Sequence, residues 1–315
     1  MANVINKAER LTSGALAVLD REIALPQLVT RDMGGDWVGA KNDTIQIGID
    51  SFVTGRRRTG GLRGTADLET DDFVETTVDV KLDVHAYKRT GVSLAQLTLD
   101  VMSYERQVAV PAVKAVAREI EDVLVEAVDG ATYAIDVGAV NASDPWVTMM
   151  SMRTALNKAR VPLDSRFLAV GADVEDAFLK SNRLKADESL DPGALRDAAI
   201  GRVGGSLVVS IPGMNPKAMV YAHRSAFALG VKSPDVPAGA KGGAARAFNG
   251  LAMTSIFDYD SRATTDTFGV HSFVGASVVS DAGVLAADGR FTPAVTPAAN
   301  GSDKILVRAA RALLA

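Results

Sequence analysis

Four arginines, Arg56, Arg57, Arg58 and Arg63, lie among four glycines in the stretch TGRRRTGGLRG, residues 54–64. Guanidinium groups at that density suit three kinds of chemistry: nucleic-acid contact, anion cradling, or bidentate pairing with carboxylates. A nucleic-acid site would interleave aromatic residues to stack the bases, and this stretch has none. An anion cradle would be followed by a helix N-terminus, whereas here an acidic run follows, with Asp67, Glu69, Asp71 and Asp72. Carboxylate pairing fits better. More acids, Glu119, Glu121, Asp122 and Glu126, lie on a helical segment further along. An arginine tip from one copy meeting acids of the next is the contact these residues favour. For an isolated monomer, a solvated loop accounts for them nearly as well.

Other chemistry is sparse. His85, His223 and His271 are far apart in sequence and none has a partner at metal-ligand spacing, so each reads as a surface or half-buried side chain. The chain has no cysteine, which removes disulfides and thiolate zinc sites. No His-Glu-x-x-His, Walker A or Gly-x-Ser-x-Gly pattern occurs. Gly201-Arg-Val-Gly-Gly205 precedes a strand and opens no helix, so it reads as a turn. The expectation is no catalytic residue, no cofactor and no metal. The 315 residues are 47% hydrophobic and 23% charged, with net charge −4, which argues for a soluble globular protein and against a dedicated nucleic-acid binder. No apolar run reaches the roughly 18 residues of a membrane span, and the N-terminus is too often interrupted by charge to be a signal peptide.

The elements that must position the arginines come next. Ala8, Leu11, Ala15 and Leu19 predict a helix in an N-terminal arm. Ile45, Ile47 and Ile49 alternate in TIQIGIDSFVT, and in FVETTVDVKLDVHAY the period of two runs from Val74 through Val78, Val80, Leu82 and Val84 to Ala86. A single strand of that length would span roughly 45 Å at ~3.3 Å per residue, too long for one compact subunit. The arginines then sit near the tip of a projecting ribbon. From Pro111 to Gly130, Val113, Val116, Ile120, Leu124 and Ala127 form the apolar stripe of a long helix whose other face is charged. A helix over 146–160, a buried strand over Arg166–Val170 and a helix through Val174, Ala177 and Phe178 follow. Beyond them the pattern predicts a helix in LDPGALRDAAI, a turn at GRVGG, strands in SLVVSIPG and AMVYAH, and a helix in RSAFALGV. Residues 232–250 read as a mobile loop, 251–258 and 265–279 as strands, and 286–302 as a linker to an apolar-basic end, KILVRAARALLA.

Three stretches resemble a known family in this order. VETTVDVKLDVHAYKRTGVSLAQLTLDVMSYERQVAVPAVKAVAREIEDVL is similar to the return limb of an extended loop entering a spine helix. RFLAVGADVEDAFLKS with ALRDAAIGRVGGSLVVSIPGM resembles an axial-domain core. AHRSAFAL and TDTFGVHSFVGASVV resemble a last helix and the closing peripheral strands. The family is that of tailed-bacteriophage major capsid proteins with the Hong Kong 97 fold, in the branch of Salmonella podophage and actinobacteriophage coats.

The resemblance implies an α+β Hong Kong 97-type fold. It divides the chain into an N-terminal arm (1–36), an extended β-hairpin loop with its base (37–93) and a peripheral domain with the spine helix (94–160). A mixed α/β axial domain (161–250), returning peripheral strands (251–285) and a C-terminal tail without clear counterpart (286–315) complete it. It implies self-association into hexamers and pentamers of an icosahedral shell around double-stranded DNA. The expected location is the virion, with assembly in the host bacterial cytoplasm. Expected partners are a portal, a decoration protein, and a separate scaffolding protein, since the chain opens on the arm without a helical pro-region. DNA would be touched only weakly and non-specifically, and a membrane not at all. Alternatives are an encapsulin-type compartment of the same fold, an α/β enzyme or nucleotide-binding protein without a recognisable motif, and a small oligomeric binding module.

Overall fold

The computed structural model describes residues 23–31, 44–51, 55, 68, 70, 76–93, 105–181, 199–203, 205–261, 264–294, 298 and 301–314. Helix α1 (Leu25–Leu28) and strand β1 (Thr30–Arg31) precede a hairpin of β2 (Thr44–Ile49) and β3 (Thr76–Lys81), followed by β4 (Val84–Ser93). A π-turn segment, Glu105–Ala109, passes into the long helix α2 (Val110–Asp129). Pro111 has no N–H for an i−4 bond, and it sits where that wider turn changes to α geometry. Strand β5 (Tyr133–Val140), α3 (Pro145–Lys158), β6 (Arg166–Val170) and α4 (Ala172–Ser181) follow. The remainder is β-rich: β7 (Ala199–Val203), β8 (Ser206–Ser210), β9 (Ala218–His223), β10 (Phe227–Lys232), β11 (Gly242–Phe248) and β12 (Leu251–Asp260). Strands β13 (Thr265–Val278), β14 (Asp281–Leu285), β15 (Phe291–Pro293) and β16 (Lys304–Leu314) close the chain.

Two sheets organise these elements. The first runs β1-β10-β13-β12-β11, with β4 on the opposite edge of β13. The second runs β15-β14-β16-β9-β6-β8-β7, with β5 also on β16. Helix α2 lies between them. Val113, Val116, Ile120 and Leu124 are buried as the stripe predicts, and Ala112, Ala117, Val125 and Val128 are buried as well. The stripe is wider than expected because the helix shares one core with both sheets, Ala86, Phe227, Leu229 and Phe268 coming from the first and Phe167, Val209 and Val220 from the second. The far face of the second sheet carries α3 and α4 through Met149, Met152, Leu156 and Phe178. Covered on both sides, β6 and β8 are buried at every residue and are apolar but for Arg166, Ser206 and Ser210 at their ends.

Several expectations are corrected. The continuous strand through Ala86 is two strands, because Leu82 and Asp83 break the ladder. Below the break β3 pairs with β2, and above it β4 pairs with β13. The alternation survives the break, yet Val78 and Val80 enter one core and Ala86 another. RSAFALGV is one 3-10 turn, Arg224–Ala226, and then strand β10, not a helix. Its apolar residues are buried on both faces, so periodicity cannot separate the two. The loop expected over 232–250 contains β11, which hairpins onto β12 through Asn249 (φ 53°) and Gly250 (φ 72°). Asn-Gly is the two-residue turn that right-handed strand twist favours, a signal present in the sequence. The helix expected in LDPGALRDAAI lies largely outside the described residues, but its last two residues open β7, so the turn is confined to the end of GRVGG. The N-terminal helix over Ala8–Leu19 also lies outside them.

The largest correction is the tail. The linker contains β15, and all of KILVRAARALLA that is described, Lys304–Leu314, is β16, an inner strand of the second sheet that pairs antiparallel with β9 and parallel with β5.

Candidate assembly interface

The arginine stretch is held at its root by a small third core. Ile45, Ile47 and Ile49 from β2 and Val78 and Val80 from β3 bury against Ala228 and Val279, on the face of the first sheet away from α2. The hairpin lies close because Gly230 and Gly275 form a directly opposed pair in β10 and β13. A Cβ on Gly275 would stand 2.0 Å from the carbonyl oxygen of Lys81, and one on Gly230 would stand 2.5 Å from Cδ1 of Ile45. At Gly275 only hydrogen lets the ribbon seat, whereas at Gly230 the end of the Ile45 side chain would have to turn aside.

Arg308 ties that root to the C-terminal strand. Its Nε donates to Oδ2 of Asp281 at 2.7 Å and its Nη2 to Oδ1 at 2.5 Å, in a bidentate pair that is almost fully buried. Nη1 donates to Oγ of Ser225 at 2.7 Å, and Nη2 also to the carbonyl of Asp50 at 2.8 Å, just past the end of β2. One guanidinium thus joins β16, β14, the 3-10 turn and the ribbon. Sequence reading missed it, because KILVRAARALLA read as an apolar-basic end beyond a linker. The available signal was a pair of arginines, Arg308 and Arg311, among apolar residues.

Arg56, Arg57, Arg58, Arg63, Asp67, Glu69, Asp71 and Asp72 lie outside the described residues. Leu68, between them, is 79% exposed. On α2, Glu119, Asp122 and Glu126 are exposed and follow one another at i, i+3 and i+7, so they form one acidic ridge. Glu121 does not join it. Its Oε1 accepts the N–H groups of Ala24 (3.0 Å) and Leu25 (2.9 Å), fastening the segment that enters α1 onto α2.

Burial pushes the Glu121 carboxyl above the usual carboxylate range, against the pull of those two N–H groups. A raised acid pKa means that the folded state holds the proton more tightly than the unfolded one. Stability therefore falls as pH rises from the ordinary value through the raised one. In Glu121→Gln the amide oxygen still accepts both bonds and no charge has to be buried. The variant should gain on the parent as pH rises from acid to neutral, measured by urea midpoints across that range. Parallel midpoint curves would refute the assignment.

An open groove of about 600 Å³ runs along α3, lined by Trp146, Val147, Met150, Thr154 and Lys158 and closed by Gly289. Its polar lining also includes Ser151 and Asp288, and the hydroxyls of Ser151 and Thr154 donate to the helix carbonyls of Val147 and Met150. Among the described residues no three His, Asp or Glu side chains come within reach of one metal ion. No described helix is long and apolar enough to cross a membrane. The pronounced polar features are thus a seated ribbon, the guanidinium that holds its root, and an acidic helix ridge.

No family model matches the sequence, and no curated protein matches it. Solved structures do match in fold. A chain of Mycobacterium phage Che8 superposes with a TM-score of 0.54 at 18% identity, covering 92% of this chain and 90% of that one. The capsid of Cyanophage P-SCSP1u gives 0.54 at 10% identity, over 94% and 89%. The capsid of Ralstonia phage GP4 gives 0.54 at 9% identity, over 91% and 87%.

Proposed function

We propose that this chain, which has the Hong Kong 97-type fold, is the major capsid protein of a tailed bacteriophage, self-assembling into the icosahedral head around double-stranded DNA. The observation that carries the reading is the extent of the likeness: about nine-tenths of this chain and of chains in phage capsids share one architecture. Function in such a protein is self-association, through hexamers and pentamers. Its net charge of −4 suits a wall that must release DNA, since basic contacts dominate affinity for phosphates. We assign the second sheet with α3 and α4 to the axial domain, a division that departs from the bounds expected from sequence: 133–158 moves from the peripheral to the axial domain, and β10 and β11 from the axial to the peripheral one. The first sheet with α2 as spine is the peripheral domain, and β2–β3 the base of the extended loop. A separate scaffolding protein, a portal and a decoration protein complete the proposal, with assembly in the bacterial cytoplasm and residence in the virion.

Within the shell, Arg56, Arg57, Arg58 and Arg63 at the ribbon tip reach carboxylates of a neighbouring copy. The exposed ridge of Glu119, Asp122 and Glu126 and the acidic limb with Asp67, Glu69, Asp71 and Asp72 are the candidates. Replacing Arg56, Arg57 and Arg58 together by alanine should leave the subunit folded but impair shell assembly or heat resistance. Electron microscopy and a melting curve of the particles read both. Parent-like yield and heat resistance would remove the arginine contact. A chain that never forms closed shells, even with its phage partners, would remove the capsid reading. Protein cargo in native particles, in place of DNA, would favour an encapsulin-type compartment.

A further inference from the structure

Two of the three histidines, far apart in sequence, meet on the exposed face of the first sheet. His85 on β4 stands opposite Phe273, and His271 on β13 stands opposite Tyr87, so the two imidazoles are diagonal neighbours. Nε2 of His85 lies 3.2 Å from Nδ1 of His271. Two ligands at ~2.0–2.1 Å from one metal ion, at an angle between square and tetrahedral, stand about 2.9–3.4 Å apart. The spacing is therefore that of adjacent ligands.

The rings are also held. His271 lies nearly parallel to Tyr87, with centroids 6.0 Å apart, and His85 packs on Phe273 at 4.9 Å. A Cβ on Gly269 would come within 2.7 Å of Nε2 of His271, so glycine at that position leaves the ring its place. His85 is exposed, which gives an ion and its water molecules direct access.

We propose that His85 and His271 form a two-imidazole site for a divalent transition-metal ion such as Ni²⁺, Cu²⁺ or Zn²⁺. No third His, Asp or Glu joins them among the described residues, so water fills the remaining positions. The site selects imidazole-seeking ions over Mg²⁺ and Ca²⁺, which require oxygen ligands. Arg89 is the repulsive neighbour, and its Nη2 is turned to Oγ1 of Thr267 at 3.3 Å.

The test is calorimetric titration of the full chain with NiCl₂ and, separately, MgCl₂. The absence of cysteine and the single other histidine, partly buried His223, keep the background low. One Ni²⁺ per chain is expected, with no comparable uptake of Mg²⁺. The glutamine variants His85→Gln and His271→Gln should each weaken Ni²⁺ binding by roughly tenfold or more, since each removes one of two imidazole ligands. Metal-free urea midpoints check that both remain folded. His85→Gln, at an exposed position, decides the matter if His271→Gln does not fold. Unchanged Ni²⁺ affinity in His85→Gln, or Mg²⁺ binding as tight as Ni²⁺, would overturn the proposal. Neither result bears on shell formation, because the site does not depend on that reading.

Discussion

Replacing Arg308 by methionine will destabilise the subunit by about 3–5 kcal/mol, the cost of leaving one member of a buried ion pair without its partner. Asp281, itself buried, would lose its counter-charge and both bidentate bonds. The carbonyl of Asp50 and the hydroxyl of Ser225 would lose a donor at the same time. The double variant Arg308→Met, Asp281→Leu should recover much of the loss, since an apolar pair leaves no orphaned charge. Recovery will be incomplete because Asp50 and Ser225 stay without that donor. Urea unfolding of the three proteins reads the effect directly. A single-variant loss below about 1 kcal/mol, the range of exposed pairs, would show that the pair is not sealed from solvent.

Gly275→Ala should unseat the ribbon while sparing the rest of the subunit. The added methyl meets the carbonyl oxygen and carbon of Lys81 at 2.0 and 2.7 Å, and both belong to backbone that cannot rotate away. Strand β3 must lift, at a cost of about 1–3 kcal/mol for an overpacked site. Amide exchange should accelerate over 44–49 and 76–81 and stay slow in α2, whose core lies on the other face of the sheet. Gly230→Ala is milder, because it meets the far end of the Ile45 side chain. If shells depend on the aim of the ribbon, Gly275→Ala also lowers their yield. Unchanged protection over β2 and β3 would mean that the glycine pair does not set the seat.

Much of the candidate interface was legible as charge and little of it as contact. Helical spacing in α2 was enough to put Glu119, Asp122 and Glu126 on the solvent side. The same spacing could not distinguish Glu121, whose partners Ala24 and Leu25 are 97 and 96 residues away. The hairpin was visible because β2 and β3 each bury one face, and a half-buried strand writes its geometry as alternation. Its length was overread. The period of two continues across Leu82 and Asp83, although the chain there leaves the ribbon and enters the sheet.

Sequence alone determined the elements whose pattern comes from one buried face: the amphipathic helix after Pro111 and the ribbon that flanks the arginine stretch. Tertiary structure alone decided the fate of the C-terminal residues. In β16, Leu306 and Ala309 enter the core with α2, while Val307, Ala310 and Ala312 enter the core with α3. A strand covered on both sides carries no polar alternation to read, and its buried Arg308 finds partners 27, 83 and 258 residues away. Which layers cover a strand is a property of the assembled fold, so residues 304–314 read as a tail in sequence and as an inner strand in space.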